Sequence, residues 1–218
     1  MMGGDQASFH SNPGTLESSN PSFNHRGENM GNTGVDREEA VKLMESYLQG
    51  ESLRKHCYAT EAVMRAMAER LGYDPELWGI VGLLHDLDYE ETKDRPAQHG
   101  LKTAEILRGK GVSPEVIEAI KAHNAEALGI ERKTDLDISI TCSECITGMV
   151  VATALVYPDK KISSVKVSSI IKRMKQKEFA RNVNRDLIRK CEEVHVPLEE
   201  FAELSLKAMG EISDRLGL

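Results

Sequence analysis

The sequence predicts an all-α protein: a single helical bundle domain over residues 35–218, preceded by a tail at residues 1–34. Three observations lead there. Aromatic residues make up only 5% of the 218 residues, whereas Ala, Leu, Ile, Met, Glu and Lys are plentiful, a balance that favours helix over sheet. Apolar residues recur at helical spacing between Gly, Pro and capping residues, and no alternating strand pattern of any length occurs. Finally, 40% hydrophobic residues over this length suffice for one core of good size, and the length is too short for two. No internal repeat is visible.

Residues 1–34 are rich in Gly, Ser and Asn and carry His10 and His25. They lack the apolar pattern needed to offset the entropy of ordering, so the segment reads as a disordered or tag-like tail, with Met30 as an alternative start. Asp36 is placed to cap a first helix running to about Leu48, which Gly50 ends. A second helix spans about Ser52 to Leu71 and stops at Gly72. A third begins after Asp74-Pro75 and is apolar almost all round from Leu77 to Leu84, the signature of a buried helix; His85 and Asp86 follow at its far end. A fourth is expected from about Pro96 to Gly109, and a fifth from Ser113-Pro114 to about Asn124.

The stretch Ile138–Tyr157 is long enough to span a bilayer and carries one charge, Glu144. Its Thr, Ser, Cys and Gly content, and the lack of anchors at both ends, mark it instead as a central buried helix. Beyond Pro158 come a short piece at 161–167 that reads as extended, a helix near 168–190, and a last amphipathic helix from about Leu198 to Leu216.

The formal net charge of −7 argues against a general nucleic-acid binder. The four cysteines, Cys57, Cys142, Cys145 and Cys191, are irregularly spaced, and the N-terminus has no signal-like apolar run, which fits a reduced cytoplasmic setting with no membrane partner. Cys142 and Cys145 form a CxxC with no second CxxC to complete a zinc site, so they read as small residues on one side of a helix.

The chemistry concentrates in the histidines and two carboxylates. His56, His85, His99 and His123 fall on different helices or at their ends, Asp86 adjoins one of them, and Glu144 interrupts the most apolar helix. A lone histidine usually packs and hydrogen-bonds without further role, and a His-Asp pair can simply serve a helix terminus. Together these residues suit a divalent ion, because a buried carboxylate needs a partner and helices in a bundle can each present an inward ligand.

The order His56, then His85-Asp86, then a distant carboxylate resembles the HD superfamily of metal-dependent phosphohydrolases, in particular its HDIG-type branch. The stretches "WGIVGLLHDLDYEE", "HGLKTAEIL", "AIKAHNAE", "ECITGMVVATALVYP" and "VSSIIKRMKQKEFARNVNRD" carry the likeness over about residues 36–217. The resemblance implies one metal held by His56, His85 and Asp86 and completed at position 144. His99 and His123 match the extra histidines of binuclear members, where Asp86 would bridge two ions and act as the catalytic carboxylate. The family usually has Asp where this chain has Glu144.

The implied activity is hydrolysis of a phosphate ester of a small nucleotide-like or phosphorylated metabolite by metal-activated water, with one or two ions among Mn, Fe, Zn, Mg, Co or Ni. Two alternatives accompany it: a di-iron oxygenase of the same superfamily, and a non-catalytic nucleotide-binding sensor. Between Lys160 and Lys190 there are eleven Lys or Arg and two acids, so Lys172, Lys175, Arg181 and Arg185 are candidate phosphate contacts, with Arg173 and Lys177 beside them. Such a charge run is more often a solvated helix face. Glu90 and Glu91, close to the His-Asp pair, are candidates to orient water but read more simply as surface glutamates.

Overall fold

The computed structural model describes Met1 and residues 33–218, and among the described residues it is helical throughout, with no strand. The tail expectation, with His10, His25 and Met30, therefore lies almost wholly outside the described residues. At its end Thr33 accepts from the Ser113 backbone N–H at 3.1 Å.

Helix α1 (Arg37–Tyr47) starts with a capping box in which Asp36 and Glu39 each accept from the other's backbone N–H. Helix α2 (Glu51–Leu71) ends at Gly72 in the left-handed conformation, φ 82°, that favours glycine. The turn between them is held by Glu90, whose carboxylate accepts from the Gln49 and Gly50 N–H groups at 3.0 and 2.7 Å. Glu91 forms ion pairs with Lys102 and Arg95, so both glutamates are structural surface groups.

Helix α3 (Pro75–Leu84) is capped by Asp74 and buried from Leu77 to its end. It lies against α2 because Gly82 allows close approach: a Cβ there would come within 2.9 Å of the Thr60 and Glu61 backbone. One methyl would part the two helices. The short α4 (Tyr89–Thr92) follows the His-Asp pair.

The fourth helix expected from the sequence is interrupted. A 3-10 turn covers Pro96–Gln98, His99 is extended, Gly100 is left-handed at φ 85°, and α5 (Leu101–Gly109) begins only afterwards. The break has a cause: the Asp88 carboxylate accepts from the Gly100 and Thr103 N–H groups, both at 2.9 Å, and fixes the start of α5 there. Helix α6 (Pro114–His123) is capped by Ser113, and α7 (Ala125–Leu128) adds a single turn.

Helix α8 (Asp135–Leu155) runs through the centre, packed against α2, α6 and α11. By length and hydropathy alone it passes the test for a membrane span, yet 61% of that window is buried in the bundle. Residues 162–164 form a 3-10 turn rather than an extended piece.

The helix expected near 168–190 is also broken, into α9 (Val167–Met174), a turn, α10 (Arg185–Ile188) and a 3-10 segment, Arg189–Val194. Arg185 organises that turn by donating to the carbonyls of Gln176, Phe179, Ala180 and Val183. Helix α11 (Leu198–Glu211) and α12 (Ser213–Leu216) are separated at Ile212, where one helix was expected.

Candidate metal centre

Four imidazoles and one carboxylate converge where α2, α3, α6 and the Gly100 turn meet. His56 comes from the first half of α2, His85 and Asp86 from the end of α3, His99 from the extended residue before α5, and His123 from the last residue of α6. Asp86 stands between two pairs. Its Oδ2 lies 3.7 Å from His56 Nε2 and 3.5 Å from His85 Nε2. Its Oδ1 lies 3.2 Å from His99 Nε2 and 3.8 Å from His123 Nε2. Within each of the two clusters, His56/His85/Asp86 and Asp86/His99/His123, the ligand atoms lie within 4.8 Å of one another.

The outer ring nitrogens settle the tautomers. His85 Nδ1 faces the Gly82 carbonyl at 2.9 Å and His123 Nδ1 faces the Ile120 carbonyl, and a carbonyl only accepts. His99 Nδ1 donates to Asp88 Oδ1 at 2.7 Å. His56 Nδ1 meets Thr147 Oγ1 at 3.1 Å, and that hydroxyl already donates to the Glu144 carbonyl at 2.7 Å, so the ring must donate. All four Nδ1 atoms therefore carry protons, and all four Nε2 atoms turn inward. They approach each other at 3.2 Å in the His56–His85 pair and 2.8 Å in the His99–His123 pair. Two lone pairs at such distances need a positive charge between them, either a proton or a metal ion.

Without metal, a proton takes that part in the His99–His123 pair, where His99 is the ring that holds it. Burial, followed by the neighbouring His85, pushes His56 down to about 4. Burial with His85 and His99 pushes His123 to about 3. His99 runs the other way: burial lowers it, but its bonds to Asp86 and Asp88 prevail and raise it to about 9. Burial alone would raise Asp86, and the surrounding imidazoles overcome it, holding this carboxylate well below its ordinary range. The site thus keeps an anion at its centre, with a protonated His99 on one side and burial favouring neutral rings at His56 and His123. These five donors fit a divalent ion, and imidazole with carboxylate is a usual set for first-row metals.

Glu144 lines the same cleft but belongs to neither cluster; its Oε1 accepts from Cys145 Sγ at 2.9 Å, and burial raises its pKa to about 7. All four cysteines are free thiols. Of the candidate phosphate contacts, Lys172 and Lys175 are exposed, Arg181 pairs with Glu178 at 2.7 Å, and Arg185 is committed to backbone carbonyls. None of the four lines the cleft, to which that segment contributes Asn184 and Leu187. Arg173 lies over the Phe179 ring at 5.0 Å.

The sequence reading overlooked three residues. Asp88, with a fully buried side chain, orients His99 while capping α5. Thr147 orients His56, and Asn124 donates to the Pro96 and His99 carbonyls at 2.8 and 3.0 Å. Asp88 had a signal, its place two residues after Asp86; the other two had none.

An all-α bundle that sets a buried carboxylate between two pairs of inward imidazoles defines a helical metal-site domain. Residues 53–144 match the model of the HD domain, a family whose members bind divalent metals. Among curated proteins it is similar to Ribonuclease Y of Acidothermus cellulolyticus, 30% identical over 99 residues, which is 45% of this chain and 20% of that protein. Ribonuclease Y of Sulfurovum sp. is 32% identical over 112 residues, 49% of this chain and 21% of the relative. Ribonuclease Y of Clostridium botulinum is 33% identical over 86 residues, 39% and 16%. The chain thus spans about a fifth of the length of the relatives it matches. No solved structure matches.

Proposed function

We propose that the protein is a metal-dependent phosphohydrolase of the HDIG-type branch, cleaving the phosphate ester of a small phosphorylated metabolite in the cytoplasm, without a membrane partner. One observation carries the reading: each carboxylate oxygen of Asp86 faces its own pair of imidazoles, a two-seat arrangement suited to two divalent ions. When bound, such ions lower the pKa of a water molecule and neutralise charge on a phosphoryl group. The chain supplies the rest. Asp86 and the four histidines would hold the ions, Asp88 and Thr147 fix the directions of the His99 and His56 rings, and Glu144 lines the same cleft. The cleft lined by His56, Asp86, His99, His123 and Glu144, about 530 Å³, is of a size for a small substrate.

Ribonuclease Y is named for RNA, so a phosphodiester is the competing substrate. The acidic chain and a cleft lined by Asp86, Glu126 and Glu144 without Lys or Arg favour a small ester. The test is a phosphate-ester panel with Mn, Mg, Co, Ni and Zn on protein whose metal content has been measured. Turnover that depends on metal and falls to background in a folded Asp86→Ala variant is the expected result. Full activity in that variant would overturn the mechanism. Two irons per chain with a mixed-valence signal in air would favour oxygenase chemistry, and no turnover on any ester would favour a nucleotide-binding module.

A further inference from the structure

We infer that Tyr89 is a substrate-positioning residue whose ring stacks on the planar base of a nucleoside monophosphate, an inference that rests on the phosphohydrolase reading. The argument begins with an aromatic ring left in water. Tyr89 is 43% exposed, and among the large exposed hydrophobic residues described it is the one that lines the metal-centre cleft. Tyr73, by contrast, stacks on Trp78 with ring centroids 4.9 Å apart and donates to Asp135, so its exposure has a structural account.

Tyr89 sits where it does because its backbone N–H donates to the Asp86 carbonyl at 2.9 Å, closing the turn that carries the His-Asp pair. The ring meets His99 edge-on, centroids 5.5 Å apart and planes at 79°. It is therefore anchored at one edge against an imidazole of the candidate metal site. Leu53, Ala127 and Leu187 line the same cleft together with Asn124, Glu126 and Asn184, which gives it a partly apolar rim above a floor of His56, Asp86, His99, His123 and Glu144. A ligand that fits has an anionic end for the floor and a flat apolar body for the rim.

The cleft's charge narrows the class further. With no Lys or Arg in its lining, a single phosphate can be met by the two cation seats, whereas a polyphosphate or polynucleotide chain would find further carboxylates, Glu126 among them. Glu126 is itself held by two Arg132 guanidinium nitrogens at 2.8 Å, which occupies that arginine.

The experiment compares wild type, Tyr89→Leu and Tyr89→Phe, loaded with Mn, on adenosine 5′-monophosphate and glycerol 3-phosphate. Being exposed, Tyr89 tolerates either change without loss of the fold, which thermal melting checks. The ratio of kcat/KM for the nucleotide to that for the glycerol ester should fall about 10-fold or more in Tyr89→Leu, mainly through KM, and be retained in Tyr89→Phe. Equal ratios in all three proteins overturn the inference. Cleavage of a short single-stranded RNA in preference to the monophosphate overturns the monoester class. Should the wild type hydrolyse neither ester, calorimetric binding of adenosine monophosphate decides for Tyr89: weakened about 10-fold in Tyr89→Leu it stands, unchanged it falls, and the phosphohydrolase reading fails separately when no ester of the wider panel is turned over.

Discussion

The His99 ring is held at both ends by carboxylates, Asp86 at Nε2 and Asp88 at Nδ1, and that double hold is what raises its pKa to about 9. A metal ion at Nε2 must displace this proton, so Asp88 has two effects: it stabilises the competing proton, and it aims the ring and increases its basicity toward metal. Carboxylate–histidine pairs of this kind usually favour the metal, and losing the partner weakens affinity about 10–100-fold. Asp88→Asn should therefore lower Mn affinity within that range, while His99 in the metal-free protein titrates below its wild-type value. An Asn Oδ1 can still accept from the start of α5, so the fold is kept. Calorimetry and a histidine NMR titration read both effects; unchanged affinity and an unchanged His99 midpoint would refute the role. At this scale the gathering of His56, His85, Asp86, His99 and His123 was legible in residue type and order. Asp88, Thr147 and Asn124 were not, because their partners are set by turns that bring distant atoms together. Arg185 shows the converse error, since its charge suggested phosphate and its destination is four carbonyls of its own loop.

At the scale of elements, Pro, Gly and capping residues placed α1, α2, α3 and α6 well, with Asp36, Gly72, Asp74 and Ser113 doing the local work. The helices expected from the sequence are divided at Gly100, at 175–184 and at Ile212; Asp88 decides the first break and Arg185 the second, and neither partner is visible in a local pattern. One close approach between helices bears directly on the site: Gly82 packs on the α2 backbone, and its carbonyl fixes the His85 ring. Gly82→Ala relieves the helical entropy cost of glycine by up to about 1 kcal/mol, but the new Cβ would come within 2.9 Å of backbone that cannot rotate away. Overpacking of this sort costs about 1–3 kcal/mol, so the variant should be less stable in urea and also bind metal more weakly, as α3 carries two ligands away from His56. A variant more stable than wild type would show that α2 and α3 can part freely.

Across the whole molecule, the ligands join segments 67 positions apart in the chain, from His56 on α2 to His123 on α6, through a carboxylate at the end of a buried helix. An ion bound there ties together elements that the unfolded chain leaves separate, so metal should act as a global stabiliser. Binding to the native state alone contributes about 2.7 kcal/mol when the free ion is a hundredfold above its Kd. For a domain of this length each kcal/mol moves Tm by roughly 2–4 °C, so saturating Mn should raise Tm by about 5–10 °C and excess chelator should reverse it. The acidic surface offers a competing account, because a chain of net charge −7 gains some stability from any counter-ion. Asp86→Ala separates the two. It removes one charge in many from the overall balance but the residue shared by both clusters, so the specific account predicts that the Mn-dependent rise disappears in the variant while a rise with added NaCl is retained. An equal Mn-dependent rise in both proteins would place the ions elsewhere and remove Asp86 from the centre of the site.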